Sequence, residues 1–147
     1  MSETFNRIKS IGFTYAGCWK PSDAGPALEL TDLATARNVL YAFVVDEDLM
    51  YVGKTIQSLR SRMAGYKTPG LTQSTNIKNH AKIRDALAEG KRVDLYVLPD
   101  NGLLYYGGFH VNLAAGLEDS LVKQLTPAWN GGQKESPTET LVPVQPV

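Results

Sequence analysis

The sequence predicts an α+β fold, in which a small three-stranded antiparallel or mixed β-sheet is flanked by α-helices. Two observations predict it. Three short runs rich in Val, Leu, Tyr and Phe have the length of strands, and between and after them leucine and methionine recur at helical spacing. The elements follow one another in the order β-β-α-α-β-α, which is typical of helices packed on a small sheet.

The first two strands are predicted over residues 39–45 and 49–54, as a β-hairpin. Both runs are rich in apolar residues, and the acidic loop 46–48 separates them. The first run is apolar at every position, which is typical of a strand that is covered on both faces.

The length of this loop determines which residues of the hairpin face each other. With a three-residue loop, Tyr41 faces Gly53 and Phe43 faces Tyr51. Because side chains alternate across a strand, these four residues share one face of the sheet, and Gly53 leaves open space beside the Tyr41 phenol. The alternative is that the two tyrosines only fill the core, since aromatic residues favour strands.

Three helices and a third strand complete the predicted fold. They are a helix over 58–66, a helix over about 76–89 that Gly90 ends, a strand over 92–98 and a last helix that Asn112 caps. The last helix carries a leucine at every fourth position and ends before a proline.

Composition divides the chain into three parts. Residues 1–37 contain no continuous periodic pattern and predict an irregular N-terminal arm. Residues 38–130 hold most of the predicted elements and form the folded domain. Residues 131–147 contain three prolines and two glycines without an apolar face, which predicts a disordered C-terminal tail.

The bulk composition excludes several classes of protein. The chain of 147 residues has one cysteine and two histidines, too few for a disulfide framework or a four-ligand Cys/His zinc site within one chain. No secretory signal and no apolar stretch of membrane-spanning length is visible. We therefore expect a cytoplasmic protein without a membrane partner.

Charge is distributed unevenly, although the net charge is zero. Between Lys54 and Arg92 there are nine Lys or Arg and two acids, a local net charge of +7. A positive region between acidic flanks is typical of contact with a phosphate backbone, and equally of an ordinary solvated helix face. The candidate nucleic-acid contacts are Arg60, Lys67, Lys78, Lys82 and Arg84.

Arg62 and Tyr66 form a second candidate group. They lie four residues apart, so they share one face of the predicted short helix, at the edge of its buried stripe. A guanidinium held beside a phenol suits a phosphate, because its rigid fork stabilises negative charge on the non-bridging oxygens.

Glu118 is the candidate metal ligand. It lies at the border of the leucine stripe of the last helix, whereas Asp119 points toward solvent. A carboxylate at the margin of a buried face needs a partner, and a divalent cation is a natural one; an ordinary solvated helix acid is the alternative. Asn130 either closes the same site through its amide or only caps the end of the helix.

Taken together, these residues resemble the motifs of the GIY-YIG nucleases. Val39-Leu40-Tyr41 resembles the first tripeptide of that family and Tyr51-Val52-Gly53 the second, with Val39 at the place of the first glycine. The remaining motif positions match in order, with tyrosine where histidine is also found, and they are Arg62, Tyr66, Glu118 and Asn130.

The resemblance implies a metal-dependent endonuclease that hydrolyses phosphodiester bonds of nucleic acid, with DNA as the expected substrate. It implies that Mg²⁺ or Mn²⁺ binds at Glu118. Our hypothesis is that Tyr41, helped by the positive charge of Lys54, accepts a proton from the attacking water. Arg62 stabilises the developing charge, and the residues that orient water and phosphate are Tyr51 and Tyr66.

Two other functions are compatible with the same sequence. A non-catalytic nucleic-acid-binding module would keep the basic region, and an accessory subunit of a larger DNA-processing complex would use the N-terminal arm as a docking surface. The sequence leaves open whether the chain acts alone, as a homodimer or in a larger complex.

Overall fold

The computed structural model describes residues 2–100 and 104–130, and it contains four helices and seven strands over those residues. In chain order the elements are α1 (Glu3–Ser10), β1 (Thr14–Lys20), β2 (Ala27–Leu30), β3 (Arg37–Val45), β4 (Asp48–Ser58), α2 (Leu59–Lys67), α3 (Ser74–Ala88), β5 (Val93–Pro99), β6 (Tyr105–Tyr106), β7 (Phe109–His110) and α4 (Leu113–Leu125).

The strands β1 to β5 form one antiparallel sheet in the order β2-β1-β5-β3-β4, and β6 and β7 form a separate hairpin. The predicted α+β class is confirmed, but the predicted sheet of three strands is two strands too small. None of the helices in the described ranges has both the length and the apolar character that crossing a membrane requires. The predicted disordered tail, 131–147, lies outside the described residues.

The prediction of an irregular arm over 1–37 is wrong, because this segment supplies α1 and the two additional strands. A β-bulge between Tyr15 and Gly17 interrupts β1 and masks its alternation. Gly17 is required there, since a Cβ on it would collide with the backbone carbonyl oxygen of Glu29 in β2. A glycine that reads as a strand breaker in sequence therefore allows two strands to approach each other.

The hairpin of β3 and β4 has the predicted register and a different turn. Tyr41 faces Gly53 and Phe43 faces Tyr51, as the sequence predicts. The turn, however, has two residues, Asp46 and Glu47, with φ of 48° and 70°, values that suit a two-residue hairpin turn. A register shift directly after Phe43 compensates for the shorter turn, so the register across the tyrosines is unchanged.

The sheet is covered on both faces, as the apolar run in β3 predicts. On one face, Tyr41 and Phe43 pack with residues of α2 and α3. On the other face, Leu40, Ala42 and Val44 pack with residues of α1 and α4. The central strand therefore separates two apolar layers, and the tyrosine face is the one beneath α2 and α3.

The predicted helices are present with small changes at their ends. α2 begins after Ser58, whose hydroxyl accepts a hydrogen bond from the Ser61 amide at 3.1 Å. α3 begins at Ser74, two residues earlier than predicted. α4 has the predicted bounds, and the Asn112 side chain accepts a hydrogen bond from the Ala115 amide at 3.1 Å.

Candidate active site

Three predicted site residues meet in one hydrogen-bonded cluster between β3 and α2. The hydroxyl oxygens of Tyr41 and Tyr66 lie 2.6 Å apart. Arg62 donates from Nη2 to the Tyr66 hydroxyl at 2.8 Å, and its guanidinium carbon lies 4.3 Å from the centre of the Tyr66 ring. The hydrogen bond and the cation–π contact hold the guanidinium against the two phenols.

Gly53 makes room for this cluster. A Cβ at position 53 would lie 2.6 Å from the Tyr41 hydroxyl oxygen and 2.9 Å from Cε2 of the Tyr51 ring. Both distances are shorter than real Cβ contacts. The sequence predicts open space beside Tyr41, and in the structure the phenol of Tyr41 itself fills that space. Glycine at position 53 permits this packing.

The phenols of the cluster are neutral at physiological pH. Burial is the main cause that raises the pKa of Tyr41, Tyr51 and Tyr66 well above the ordinary value of 10.0. The nearby Arg62 lowers all three values, but burial outweighs it. Each phenol therefore carries its proton and serves as a hydrogen-bond donor and acceptor.

Lys54 does not have the predicted place beside Tyr41. It faces Leu40 across the hairpin, one residue on from Gly53, so it leaves the opposite face of the sheet and is exposed. The expectation that Lys54 promotes the phenolate of Tyr41 is wrong on this geometry, and the pKa of Tyr41 is raised rather than lowered. The alternation of side chains along a strand is sufficient to predict that Lys54 and Gly53 lie on opposite faces of the sheet.

Tyr51 lies on the same face as Tyr41, with the two ring centres 6.2 Å apart, and its ring stacks on Phe43 at 5.5 Å. Glu118 lies on α4 and is half-buried. After burial and Tyr66, the negative charge of Glu118 is a further cause of the raised pKa of Tyr51. The carboxylate is therefore close enough to this phenol to affect its ionisation.

Asn130 uses its amide on the backbone of β4. Its Oδ1 accepts from the Val52 amide at 3.0 Å and its Nδ2 donates to the Val52 carbonyl at 2.9 Å. The Trp129 amide also donates to the Met50 carbonyl at 2.7 Å. Asn130 thus fastens the segment after α4 to the strand that carries Tyr51, and it positions the helix of Glu118.

The predicted nucleic-acid contacts all lie on α2 and α3, the helices that cover the tyrosine face. Four of the five are exposed and Lys82 is half-buried. Arg84 pairs with the adjacent Asp85 at 3.2 Å. The remaining four, which have no ion pair within the described residues, are Arg60, Lys67, Lys78 and Lys82.

Sequence reasoning missed three residues that hold the cluster. Arg62 donates from Nη1 to Oδ1 of Asn76 at 3.0 Å, and the Asn76 amide donates to Oε1 of Gln73 at 3.0 Å. His80 places Nδ1 2.8 Å from the Tyr66 carbonyl oxygen, so this nitrogen is assigned the proton. The feature of the sequence that could have indicated these contacts is a pair of asparagines, Asn76 and Asn79, which lie three residues apart on the buried face of α3.

Glu118 is the residue that fits a divalent metal. Across the described residues, no group of three or more His, Cys, Asp or Glu converges on a common point. The Glu118 carboxylate has no ion pair or hydrogen bond within the same residues, so its oxygens are available. A single hard carboxylate of this kind suits Mg²⁺ or Mn²⁺, which retain waters and bind substrate phosphates in addition to few protein ligands.

Known proteins are similar to this chain in sequence and in fold. No family model matches the chain. Endonuclease II of Enterobacteria phage T4 is 28% identical over 113 residues, which cover 74% of this chain and 82% of that protein. The motif residues all lie within residues 38–130 of this chain; they are the two tripeptides, Arg62, Tyr66, Glu118 and Asn130.

Two solved structures have a similar fold. A mutant of bacteriophage T4 EndoII has a TM-score of 0.67 and 24% identity, covering 88% of this chain and 99% of that one. The restriction endonuclease HPY188I in complex with product DNA has a TM-score of 0.51 and 14% identity, covering 93% of this chain and 85% of that one. The ordered motifs, the confirmed register of the two tyrosines and the likeness to T4 endonuclease II agree with the resemblance of the chain to the GIY-YIG nucleases.

Proposed function

We propose that the chain is an endonuclease that hydrolyses phosphodiester bonds of DNA with a divalent metal bound at Glu118. The observation that carries the proposal is the cluster in which Arg62 is held against the Tyr41 and Tyr66 phenols. Tyr51 lies on the same face of the sheet, and the charge of Glu118 raises the pKa of Tyr51 further after burial and Tyr66. A structural core would not need a guanidinium or a half-buried carboxylate at this position. The relatives support the substrate, since one is named an endonuclease and another was solved with product DNA.

In this proposal Arg62 binds the scissile phosphate. Its guanidinium carries five N–H donors, of which one is given to Asn76 and one to Tyr66. In the proposal, the guanidinium also donates to non-bridging oxygens, whose negative charge increases in the transition state. Removing a preorganised donor of this kind costs about 3–4 kcal/mol of barrier, or roughly 10²–10³ in kcat.

The tyrosines orient water and phosphate. Because burial holds the pKa of Tyr41 above its ordinary range, a phenolate is a minor species at neutral pH, and the role of a ready general base does not suit the free protein. The hydroxyl pair of Tyr41 and Tyr66 instead offers a short, preorganised donor and acceptor beside the arginine. Tyr51 lies on the same face, with its ring centre 6.2 Å from that of Tyr41 and 6.4 Å from that of Tyr66, and in the proposal it orients the same phosphate.

Glu118 holds the metal, and Mg²⁺ and Mn²⁺ are the proposed ions. When bound, such an ion supplies Lewis-acid stabilisation of the phosphate and of the leaving oxygen. The chain's own contribution is to fix one carboxylate on α4 relative to the phenols, with Asn130 securing the segment that follows the helix. The exposed cations of α2 and α3 bind the flanking phosphates.

Plasmid cleavage tests the proposal with a control that the chain provides. We expect wild type to nick or linearise plasmid DNA with Mg²⁺ or Mn²⁺ and to lose activity in chelator. Glu118→Gln is expected to lose activity by at least 100-fold without loss of folding. Asp119→Asn, which removes the adjacent exposed carboxylate paired with Lys123 at 3.3 Å, is expected to retain it.

Each alternative has its own outcome in this experiment. DNA binding without cleavage at any metal concentration would identify a non-catalytic binding module and refute the enzyme. Full activity of Glu118→Gln would refute the metal assignment while leaving the nuclease. Loss of activity in both carboxylate variants would refute the specific role of Glu118.

A further inference from the structure

Asn76 is the buried partner of the proposed phosphate-binding arginine. The Asn76 side chain belongs to α3 and is 7% exposed, and its Oδ1 accepts from Nη1 of Arg62 at 3.0 Å. We propose that Asn76, oriented by Gln73, is a positioning residue that fixes the Arg62 guanidinium for catalysis. This inference rests on the proposed nuclease function and adds a residue outside the family motifs given above.

The hydrogen bonds around Asn76 determine which way its amide points. Nδ2 of Asn76 donates to Oε1 of Gln73 at 3.0 Å, and the same oxygen accepts from the Gly70 amide at 2.9 Å. A flipped Asn76 would direct its NH₂ group at the guanidinium and its oxygen at the Gln73 oxygen. Because both contacts would then be repulsive, the carbonyl oxygen is held toward Arg62.

The packing leaves Arg62 little freedom on this side. A Cβ on Gly65 would lie 3.1 Å from Nδ2 of Asn76 and 3.3 Å from Nη1 of Arg62, so α2 and α3 are in close contact where the two side chains meet. The guanidinium is held at Nη1 by Asn76 and at Nη2 by Tyr66, and it lies over the Tyr66 ring. Two hydrogen bonds and one cation–π contact therefore define one orientation.

A neutral partner is suited to this role. The amide oxygen of Asn76 accepts a hydrogen bond without neutralising the guanidinium, which keeps its full charge for a phosphate. A carboxylate at position 76 would form an ion pair with Arg62 and compete with the substrate. It would also face the oxygen of Gln73, which has no proton to offer a carboxylate.

Steady-state cleavage kinetics test the proposal. Asn76→Ala and Asn76→Asp are each expected to lower kcat by about 10- to 100-fold, as misplacement of a catalytic group does, with a smaller change in KM. In an Arg62→Ala background, Asn76→Ala is expected to have no further effect on kcat, because the residue acts through Arg62. Multiplicative losses in the double variant would overturn the proposal.

Asn79→Ala is the matched control for folding. Asn79 lies on the same face of α3 and is 1% exposed, and its Nδ2 has no hydrogen-bond partner in the described chain. It is not in contact with Arg62 through any of the hydrogen bonds described above. We expect Asn79→Ala to retain kcat at temperatures where it is folded, and a loss equal to that of Asn76→Ala would overturn the specific role of Asn76.

An NMR measurement separates this inference from the nuclease proposal. With ¹⁵N-labelled arginine, the Nη signals of Arg62 are expected to show hindered rotation in wild type and faster rotation in Asn76→Ala, with no DNA present. Unchanged Arg62 signals in Asn76→Ala would overturn the positioning role even if kcat fell. A wild type that shows the expected signals but cleaves no DNA would refute the nuclease function, and with it the catalytic part of this inference.

Discussion

Gly53→Ala is the substitution for which the structure gives the sharpest expectation. The added Cβ would lie 2.6 Å from the Tyr41 hydroxyl oxygen and 2.7 Å from its Cζ, whereas an ordinary contact begins at 3.4 Å. The phenol must therefore move by about 0.8 Å to reach ordinary contact. Tyr41 is 1% exposed and its hydroxyl is bonded to that of Tyr66, so it has no free space to enter.

The cost follows from two contributions. Overpacking a filled core by one methyl group costs about 1–3 kcal/mol. Displacing the phenol also lengthens the 2.6 Å hydrogen bond of Tyr41 and Tyr66 beyond its useful range, for about 0.5–1.5 kcal/mol. We expect Gly53→Ala to lower the free energy of unfolding by about 2–4 kcal/mol. For a chain of 147 residues this corresponds to a fall in Tm of roughly 6–12 °C.

Thermal and urea unfolding measure this change, and Gly116→Ala provides the control. Gly116 is exposed on α4, and nothing lies within 4 Å of a Cβ added there. The same substitution is expected to raise the stability of this helix by about 0.5–1 kcal/mol. Equal effects of the two substitutions, or a Gly53→Ala protein with wild-type Tm and activity, would refute the packing described around Tyr41.

Three further predictions concern the site and its surroundings. Burial raises the pKa of Tyr41 above the ordinary value of 10.0, so the unfolded chain loses this proton first and the free energy of unfolding falls as pH rises above about 10. Urea unfolding at several pH values should show a shallower fall for Tyr41→Phe than for wild type. The same fall with pH in both proteins would contradict this prediction. Asn130→Ala removes both hydrogen bonds to Val52 and is expected to cost about 1–3 kcal/mol in the same assay, against no measurable cost if the amide is dispensable. The salt dependence of DNA binding is measured as the slope of log K against log salt concentration, and Lys67→Ala and Lys78→Ala are each expected to reduce this slope by about one unit. A slope equal to that of wild type would exclude a phosphate contact by the substituted lysine.

The part of the fold that sequence predicted well is the part with regular periodicity. The uninterrupted apolar run of β3 predicted a strand covered on both faces, and Asn112 predicted where α4 begins. Tyr41 and Gly53 face each other as the sequence predicts, although the predicted turn is one residue longer than the observed one. The register shift after Phe43 compensates for that error, and no local signal in the sequence reveals a bulge at that point.

The site was predicted unevenly for physical reasons. Arg62 and Tyr66 are four residues apart on one helix, so local geometry brings them together. Asn76 and Gln73 reach Arg62 from a different helix, and only tertiary packing reveals that contact. The prediction for Lys54 is wrong because Lys54 is next to Gly53 in sequence, whereas side chains of adjacent strand residues point to opposite faces.

The Asn130 side chain also has a consequence for assembly. β4 is the last strand of the sheet, and the outward-facing amide and carbonyl of an edge strand can recruit a strand from another molecule. At Val52 both groups are already bonded to Asn130, and at Met50 the carbonyl is bonded to the Trp129 amide. A second copy of the chain therefore cannot pair with β4 at Val52, and the Asn130 side chain together with the Trp129 amide protects this part of the edge from edge-to-edge aggregation.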